Sequence, residues 1–354
     1  MTPDSENGRL NVLITFALEP ELVQEIESVD PRIAARVLGQ SARQLFRGQR
    51  KYPSELEAQT AQRELEESMA EAEVLFGFWG PKLIEMYPTP QALREGAERL
   101  RWIQVTSAGL DRVARSGLLE SDFMVTSASG LHATPIGEYV LLVMLMFCKG
   151  AANFTRAQQR KEWVRYMPKE LYGKTVGVVG MGHIGTEVAR LSKAFGCRVL
   201  AIRRSATART QDAVADELLP PADLPYLLAE SDFVVVAVPL TGETQGLIGE
   251  AELDAMKETG VLINIARGAA VDEQALVRAL KEGTIAGAGL DVFEQEPLPP
   301  ESELWTLENV IMSPHISGGT EIYNKRATGI FCDNLRRYLA GQPLANLADP
   351  ARGY

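Results

Sequence analysis

The chain has 354 residues, 45% of them hydrophobic and 23% charged, which is enough to fill the cores of two globular domains. Its net charge of −11 argues against nucleic acid as a partner, because a phosphate-binding surface shows itself as a basic excess or a clustered basic stripe. Three cysteines, Cys148, Cys197 and Cys332, stand far apart in sequence, so neither a disulfide framework nor a metal site is expected, and a reducing, cytoplasmic setting fits.

Residues 1–9 are polar and lack the basic-then-apolar build of a signal peptide. The longest apolar run, residues 139–148, is too short to cross a bilayer, so no membrane attachment is expected. Residues 11–18 (NVLITFAL) read as a buried strand and 21–29 as a helix. The stretch 40–72 is dense in Glu, Gln and Arg, with Leu56, Leu65 and Met69 at loose helical spacing; it predicts an exposed helix with a solvated face, a partner-binding role being the alternative. Strands are expected at 74–78, 102–106 and 125–127, and their alternation with helices implies a small parallel sheet. Pro135 can open a helix, and residues 136–149 are helix-compatible and mostly apolar, so this helix must bury more than one face in the core or against another subunit.

Residues 175–195 (TVGVVGMGHIGTEVARLSKAF) read as strand, tight turn and helix. Gly180 allows the turn, Gly182 lets backbone approach a pyrophosphate, and Gly185 lets helix and strand pack closely. His183 and Ile184 open the helix, whose unpaired N–H groups suit an anion. A glycine-rich turn with no ligand is the plain alternative, but the strand before and the helix after point to dinucleotide binding. Further strands follow at 198–202, 233–238, 261–265, 285–290 and 310–312, which together predict a doubly wound parallel sheet.

In such a sheet, ligands bind just past the carboxyl ends of the strands. Pro239 follows FVVVAV, Arg267 follows VLINIA, Asp291 follows IAGAGL, His315 follows VIMSP, and Glu296 stands five residues beyond Asp291. Each alone has an ordinary structural explanation. Arginine, glutamate and histidine on one sheet edge, in a chain with only 3 histidines, point instead to chemistry. They suit hydride transfer to a carbonyl. His315 would supply the proton, Glu296 would keep the imidazole protonated and oriented, and the planar fork of Arg267 would grip a substrate carboxylate while polarising the adjacent carbonyl.

Six segments together carry a family resemblance: VTSAGLDRV (105–113), HATPIGEYVL (132–141), VGVVGMGHIG (176–185), NIARGAAVDEQAL (264–276), GLDVFEQEPL (289–298) and SPHISG (313–318). Over essentially its whole length the chain resembles the D-isomer-specific 2-hydroxyacid dehydrogenases. The resemblance implies an α/β protein of two doubly wound parallel-sheet domains, a Rossmann nucleotide domain (129–317) inserted into a flavodoxin-like substrate domain (1–128 and 318–354). It implies a 2-keto or 2-hydroxy acid substrate and places the family's catalytic Arg, Glu and His on Arg267, Glu296 and His315. It further implies that Asp291 holds the nicotinamide amide and that backbone at Ala108 and Gly109 receives the substrate carboxylate. Val238, Pro239, Thr244, Ile265 and Ala266 would line the cofactor cleft. Loops around Phe78, Trp79 and Ala108 would read the substrate side chain, the two domain crossings would act as hinges, and a homodimer would embrace through the helix at 136–154.

One departure bears on the cofactor. NAD-preferring relatives carry an acid at the end of the second nucleotide-domain strand, yet no acidic residue lies between Glu187 and Asp212. Arg203, Arg204 and Ser205 stand there instead and suit a 2′-phosphate, so NADP(H) is favoured over NAD(H), the alternative being two solvated arginines. A second class of function stays open: some members resemble dehydrogenases yet act as nucleotide-sensing corepressors.

Overall fold

The computed structural model describes residues 8–46, 54–77 and 81–350. The chain divides into two compact units, Met1–Leu131 with Thr320–Tyr354, and His132–Gly319.

In the first unit, strands β1 (Leu10–Ile14), β2 (Ile33–Val37), β3 (Val74–Gly77), β4 (Trp102–Val105) and β5 (Met124–Thr126) form a parallel sheet ordered β2-β1-β3-β4-β5. That is the flavodoxin-like order. β2 (IAARV) was not among the expected strands; only Ile33 of it is buried, because it is a sheet edge with half-covered faces and so lacks a continuous apolar run. The charged stretch is helical with one solvated face, as expected, and a narrow buried one. It contains two helices, Gln40–Phe46 and Glu55–Glu71, and the second buries Ala61, Leu65, Ser68 and Met69 while Leu56 is 71% exposed. Ser54 caps that helix by accepting the Glu57 N–H, and Glu64 accepts the Gly39 N–H at 2.7 Å, tying it to the end of β2. Phe78 and Trp79 lie outside the described residues.

The last helix, Tyr323–Leu339, belongs to this unit. Its buried face is Ala327, Phe331, Cys332, Leu335 and Tyr338, with Ile330 and Leu339 partly buried against the same core and Ile322 42% exposed. Phe331 stacks on Phe76 with ring centroids 4.1 Å apart, and buried Asn334 donates to Gln104 Oε1 at 3.0 Å. A polar network therefore helps fix a helix whose sequence looks only loosely amphipathic.

In the second unit, β6 (Thr175–Val179), β7 (Arg198–Ile202), β8 (Glu217–Leu219), β9 (Phe233–Val236), β10 (Val261–Asn264), β11 (Gly287–Leu290) and β12 (Val310–Met312) form a parallel sheet ordered β12-β11-β10-β9-β6-β7-β8. Read from β8, this is the Rossmann order 3-2-1-4-5-6 with one strand added beyond the sixth. The central strands β6, β9, β10 and β11 are buried at every position, as all-parallel strands covered on both faces must be. β8, three residues at the edge, was not foreseen.

The helix Ala133–Lys149 ends at Gly150, whose φ of 63° supplies the left-handed cap, and the chain turns by 67° into Ala151–Gln159. Val140, Val143, Met144 and Cys148 are buried within the unit, and a side chain at Gly137 would meet Leu191 at 2.8 Å, so the helix lies close against His183–Ala194. Most of the apolar run is thus core. Large apolar exposure falls instead on Leu142 and on the segment beyond it, with Phe154, Trp163 and Met167 at 51%, 89% and 92%. No single helix among the described residues is long and apolar enough to cross a membrane.

Candidate active site

The order of the second sheet reverses between β6 and β9, and the crevice at that switch point is bounded by the glycine turn. Gly180 has φ of 110°, and a Cβ at Gly185 would fall well under 3.0 Å from the Gly180 carbonyl oxygen. Both glycines are therefore required by the turn itself. Gly182 differs: it is exposed, and a Cβ there would meet nothing within 4 Å. It is also the cap of the helix His183–Ala194 and offers no side-chain hydrogen bond to it, so the first N–H groups of that helix are left for an anion. The cradle fits a dinucleotide pyrophosphate. His183 is exposed and Ile184 is partly buried against the core.

Past β7, Arg203 is half-buried, and Arg204 and Ser205 are exposed. Asp212, which lies beyond the interval in sequence that lacks acids, returns to bring Oδ2 within 3.7 Å of the Arg203 guanidinium. Arg203 is thus held by a partly buried counter-charge, a contact invisible in linear order. Past β9, Thr244 donates to the Pro239 carbonyl at 2.6 Å and accepts the Thr241 N–H at 2.8 Å, closing a compact turn beside Val238.

Past β10, Ile265 and Ala266 are buried. Asn264, the polar residue that ends an apolar strand, accepts the Ala266 N–H at 3.1 Å and donates to the Arg267 carbonyl at 2.9 Å. It folds the backbone that presents Arg267, whose guanidinium donates to the Ala266 carbonyl at 2.8 Å. Gly268 follows, packed so closely on the backbone of Phe293 and Glu294 that no side chain fits there. Asn264 and Gly268 were missed as site residues. Their signals were a buried amide in an apolar strand and a glycine directly after the arginine.

Past β11, Asp291 is 1% exposed. Its carboxylate accepts from Ser313 Oγ at 2.5 Å and from the N–H groups of Ile316 and Ser317 at 2.8 and 3.0 Å. Asp291 therefore binds the loop past β12. In that loop His315 sits at φ 55°, a left-handed conformation that costs a non-glycine residue roughly 1–2 kcal/mol.

His315 Nδ1 lies 2.7 Å from Glu296 Oε2, and Glu296 Oε1 accepts the Phe293 N–H at 3.2 Å. The side chains are 50% and 37% exposed, so solvent screens their Coulomb attraction and the hydrogen bond chiefly sets ring orientation. With Nδ1 engaged by the carboxylate, Nε2 is the nitrogen that faces away from it and can carry a transferable proton. A cavity of about 630 Å³ lined by Phe293, Leu298, Trp305 and Met312 has Glu296 and His315 in its wall.

His132 has Nδ1 3.1 Å from the Gly318 carbonyl. Burial, with the nearby charges of Arg267 and His315, holds its imidazole below the ordinary range despite that hydrogen bond, which favours the neutral ring. Ala108 and Gly109 lie in the first unit past β4, where the Ser107 hydroxyl donates to the Gly109 carbonyl at 2.8 Å. No group of three or more His, Cys, Asp or Glu side chains that could hold a metal occurs among the described residues.

Fold and site together define a nicotinamide-nucleotide oxidoreductase with an Arg, a Glu and a His on one sheet edge. Residues 141–317 match the NAD-binding domain of the D-isomer specific 2-hydroxyacid dehydrogenases. A glyoxylate reductase of Korarchaeum cryptofilum is 36% identical over 271 residues, covering 74% of this chain and 80% of its own. One of Thermococcus gammatolerans is 42% identical over 235 residues, covering 64% and 69%. A solved D-isomer specific 2-hydroxyacid dehydrogenase of Xanthobacter autotrophicus Py2, in complex with NADPH and MES, superposes with a TM-score of 0.75 at 28% identity, covering 97% of this chain and all of its own. The chain belongs to the D-isomer specific 2-hydroxyacid dehydrogenase family and is an NAD(P)-dependent oxidoreductase.

Proposed function

We propose that the chain reduces a small 2-keto acid, glyoxylate being the first candidate, with NADPH preferred over NADH. The observation that carries the reading is the His315–Glu296 hydrogen bond at 2.7 Å on the same sheet edge as Arg267 and the glycine cradle. Bound there, the reduced nicotinamide supplies the hydride. His315 gives the carbonyl oxygen its proton, Glu296 orients the ring, and Arg267 grips the carboxylate and polarises the carbonyl. One acceptor position on Asp291 Oδ2 is left by its three donors and suits the nicotinamide carboxamide. The glyoxylate reductases among the relatives support the substrate class. Turnover of a panel of 2-keto acids with both reduced cofactors tests the proposal; tight nucleotide binding without turnover would favour a sensor instead.

NADPH preference rests on Arg203, Arg204 and Ser205 past β7, and the NADPH bound by the Xanthobacter relative supports it. One charge-assisted contact to a 2′-phosphate predicts kcat/KM about tenfold to a hundredfold higher with NADPH. Arg203→Asp should erase most of that margin while sparing NADH. Equal rates with the two cofactors in the parent chain would reject the preference.

Dimerisation is the second part of the proposal, and its support moves from the buried helix to the segment past it. Leu142, Phe154, Trp163 and Met167 expose an apolar surface of the kind that a second copy covers. Sedimentation at micromolar concentration should give twice the chain mass, and Met167→Glu should shift it toward one. The three buried, free cysteines fit the reducing, cytoplasmic setting.

A further inference from the structure

The loop that presents His315 is held by a chain of hydrogen bonds whose direction follows from the chemistry of its members. Ser313 Oγ lies 2.5 Å from Asp291 Oδ1 and 2.7 Å from the Tyr139 hydroxyl. An ionised carboxylate has no proton to give, so Ser313 donates to Asp291 and its lone pair accepts the Tyr139 O–H. Burial pushes the Tyr139 phenol up, so it keeps the proton that it donates. Each link polarises the next, and the last one ends on a charge, which makes the chain stronger than two neutral contacts. The same carboxylate holds the Ile316 and Ser317 N–H groups, and the His315 N–H donates to the Asp291 carbonyl at 2.9 Å.

We propose that Tyr139 and Ser313 are positioning residues for His315: their hydroxyls load Asp291 so that it pins residues 313–317 and keeps His315 in its left-handed conformation with Nδ1 on Glu296. Both act on His315 through the carboxylate. Tyr139 comes from the helix Ala133–Lys149, so the catalytic loop is tied to an element on the far side of the sequence of this unit. The inference rests on the reading of His315 as the acid–base group, and the experiment separates the two.

The test uses the full chain with Tyr139→Phe, Ser313→Ala, Ser313→Thr and, in parallel, His315→Ala. Tyr139→Phe removes one oxygen and keeps the ring volume, so it reports on the chain even where Ser313→Ala lowers the melting point. Both are expected to reduce kcat for glyoxylate reduction roughly tenfold to a hundredfold, with the KM values of both substrates nearly unchanged. Amide hydrogen exchange at Ile316 and Ser317 should quicken without any substrate present. Ser313→Thr, which retains the hydroxyl, should restore both properties. The double variant should be no worse than Ser313→Ala, because the tyrosine works only through that hydroxyl. Parental kcat in Tyr139→Phe and Ser313→Ala beside an inactive His315→Ala would overturn the proposal alone, whereas parental kcat in His315→Ala would remove the reading beneath it. A rise in cofactor KM with unchanged amide exchange would also overturn it, since Asp291 would then serve the nucleotide and not the loop.

Discussion

His315→Ala is expected to lower kcat for keto-acid reduction by about 10³-fold, within the range of general acid–base contributions, while KM changes little. The direction of proton flow makes the expectation sharper. Reduction needs the imidazolium, so its rate should fall as pH rises; oxidation of the hydroxy acid needs the neutral ring, so its rate should fall as pH drops. Glu296→Gln keeps the shape of the partner at 2.7 Å but replaces a carboxylate acceptor with an amide, which loosens the ring orientation, so kcat should fall with KM little changed. Arg267→Ala should behave differently again, raising KM through the missing carboxylate grip and lowering kcat through the missing carbonyl polarisation. Stopped-flow and steady-state profiles across pH separate the three signatures. Near-parental reduction by His315→Ala would sink the assignment, because the remaining histidines are engaged elsewhere: His183 opens the glycine-turn helix and His132 bonds the Gly318 carbonyl.

The architecture was readable because parallel strands covered on both faces leave an unmistakable trace. FVVV in β9 and VLIN in β10 are buried at every position, and such runs stand out against any background. The edges were not readable for the same reason. β2 (IAARV) carries an arginine and β8 has only three residues, so neither produces a run. Buried faces of helices are also hard to read from apolar residues alone. The helix after the glycine turn buries Gly185, Val188, Ala189 and Ser192, whereas the apolar Phe195 at its end is 42% exposed. Small residues allow close packing without announcing it in hydrophobicity.

At the site, residues that stand directly past strand ends were visible, since topology alone fixes them on one edge. Residues that act through folding of the intervening chain were not. Asp212 reaches Arg203 from nine positions away along an irregular loop, and Tyr139 meets Ser313 from a different helix altogether. The acid that the sequence lacked at the end of β7 is therefore present in space, though it contacts an arginine. That pairing explains how two adjacent arginines are tolerated past one strand: Asp212 offsets the charge of the first.

Gly268→Ala should be the most damaging substitution for its size. A Cβ at this position would lie well under 3.0 Å from the carbonyl carbon and oxygen of Phe293 and from the Glu294 nitrogen. All three are backbone atoms, so no side chain can rotate away and one of the two loops has to shift. The loops in question carry Arg267, immediately before the glycine, and Glu296, whose Oε1 accepts the Phe293 N–H at 3.2 Å. A displacement of an ångström there moves the arginine and the Glu296–His315 pair relative to one another, and misplacement of that size costs about 10²-fold in rate. Overpacking in a well-filled site should also destabilise the fold by about 1–3 kcal/mol. Gly329→Ala is the matching control. It lies in the interior of the helix Tyr323–Leu339, where a Cβ meets nothing within 4 Å, and it should stabilise by about 0.5–1 kcal/mol with parental kinetics. Melting curves and kcat/KM for both variants decide the matter: a Gly268→Ala protein that melts and turns over like the parent would mean that the close approach of the Arg267 and Glu296 loops is not what sets their geometry.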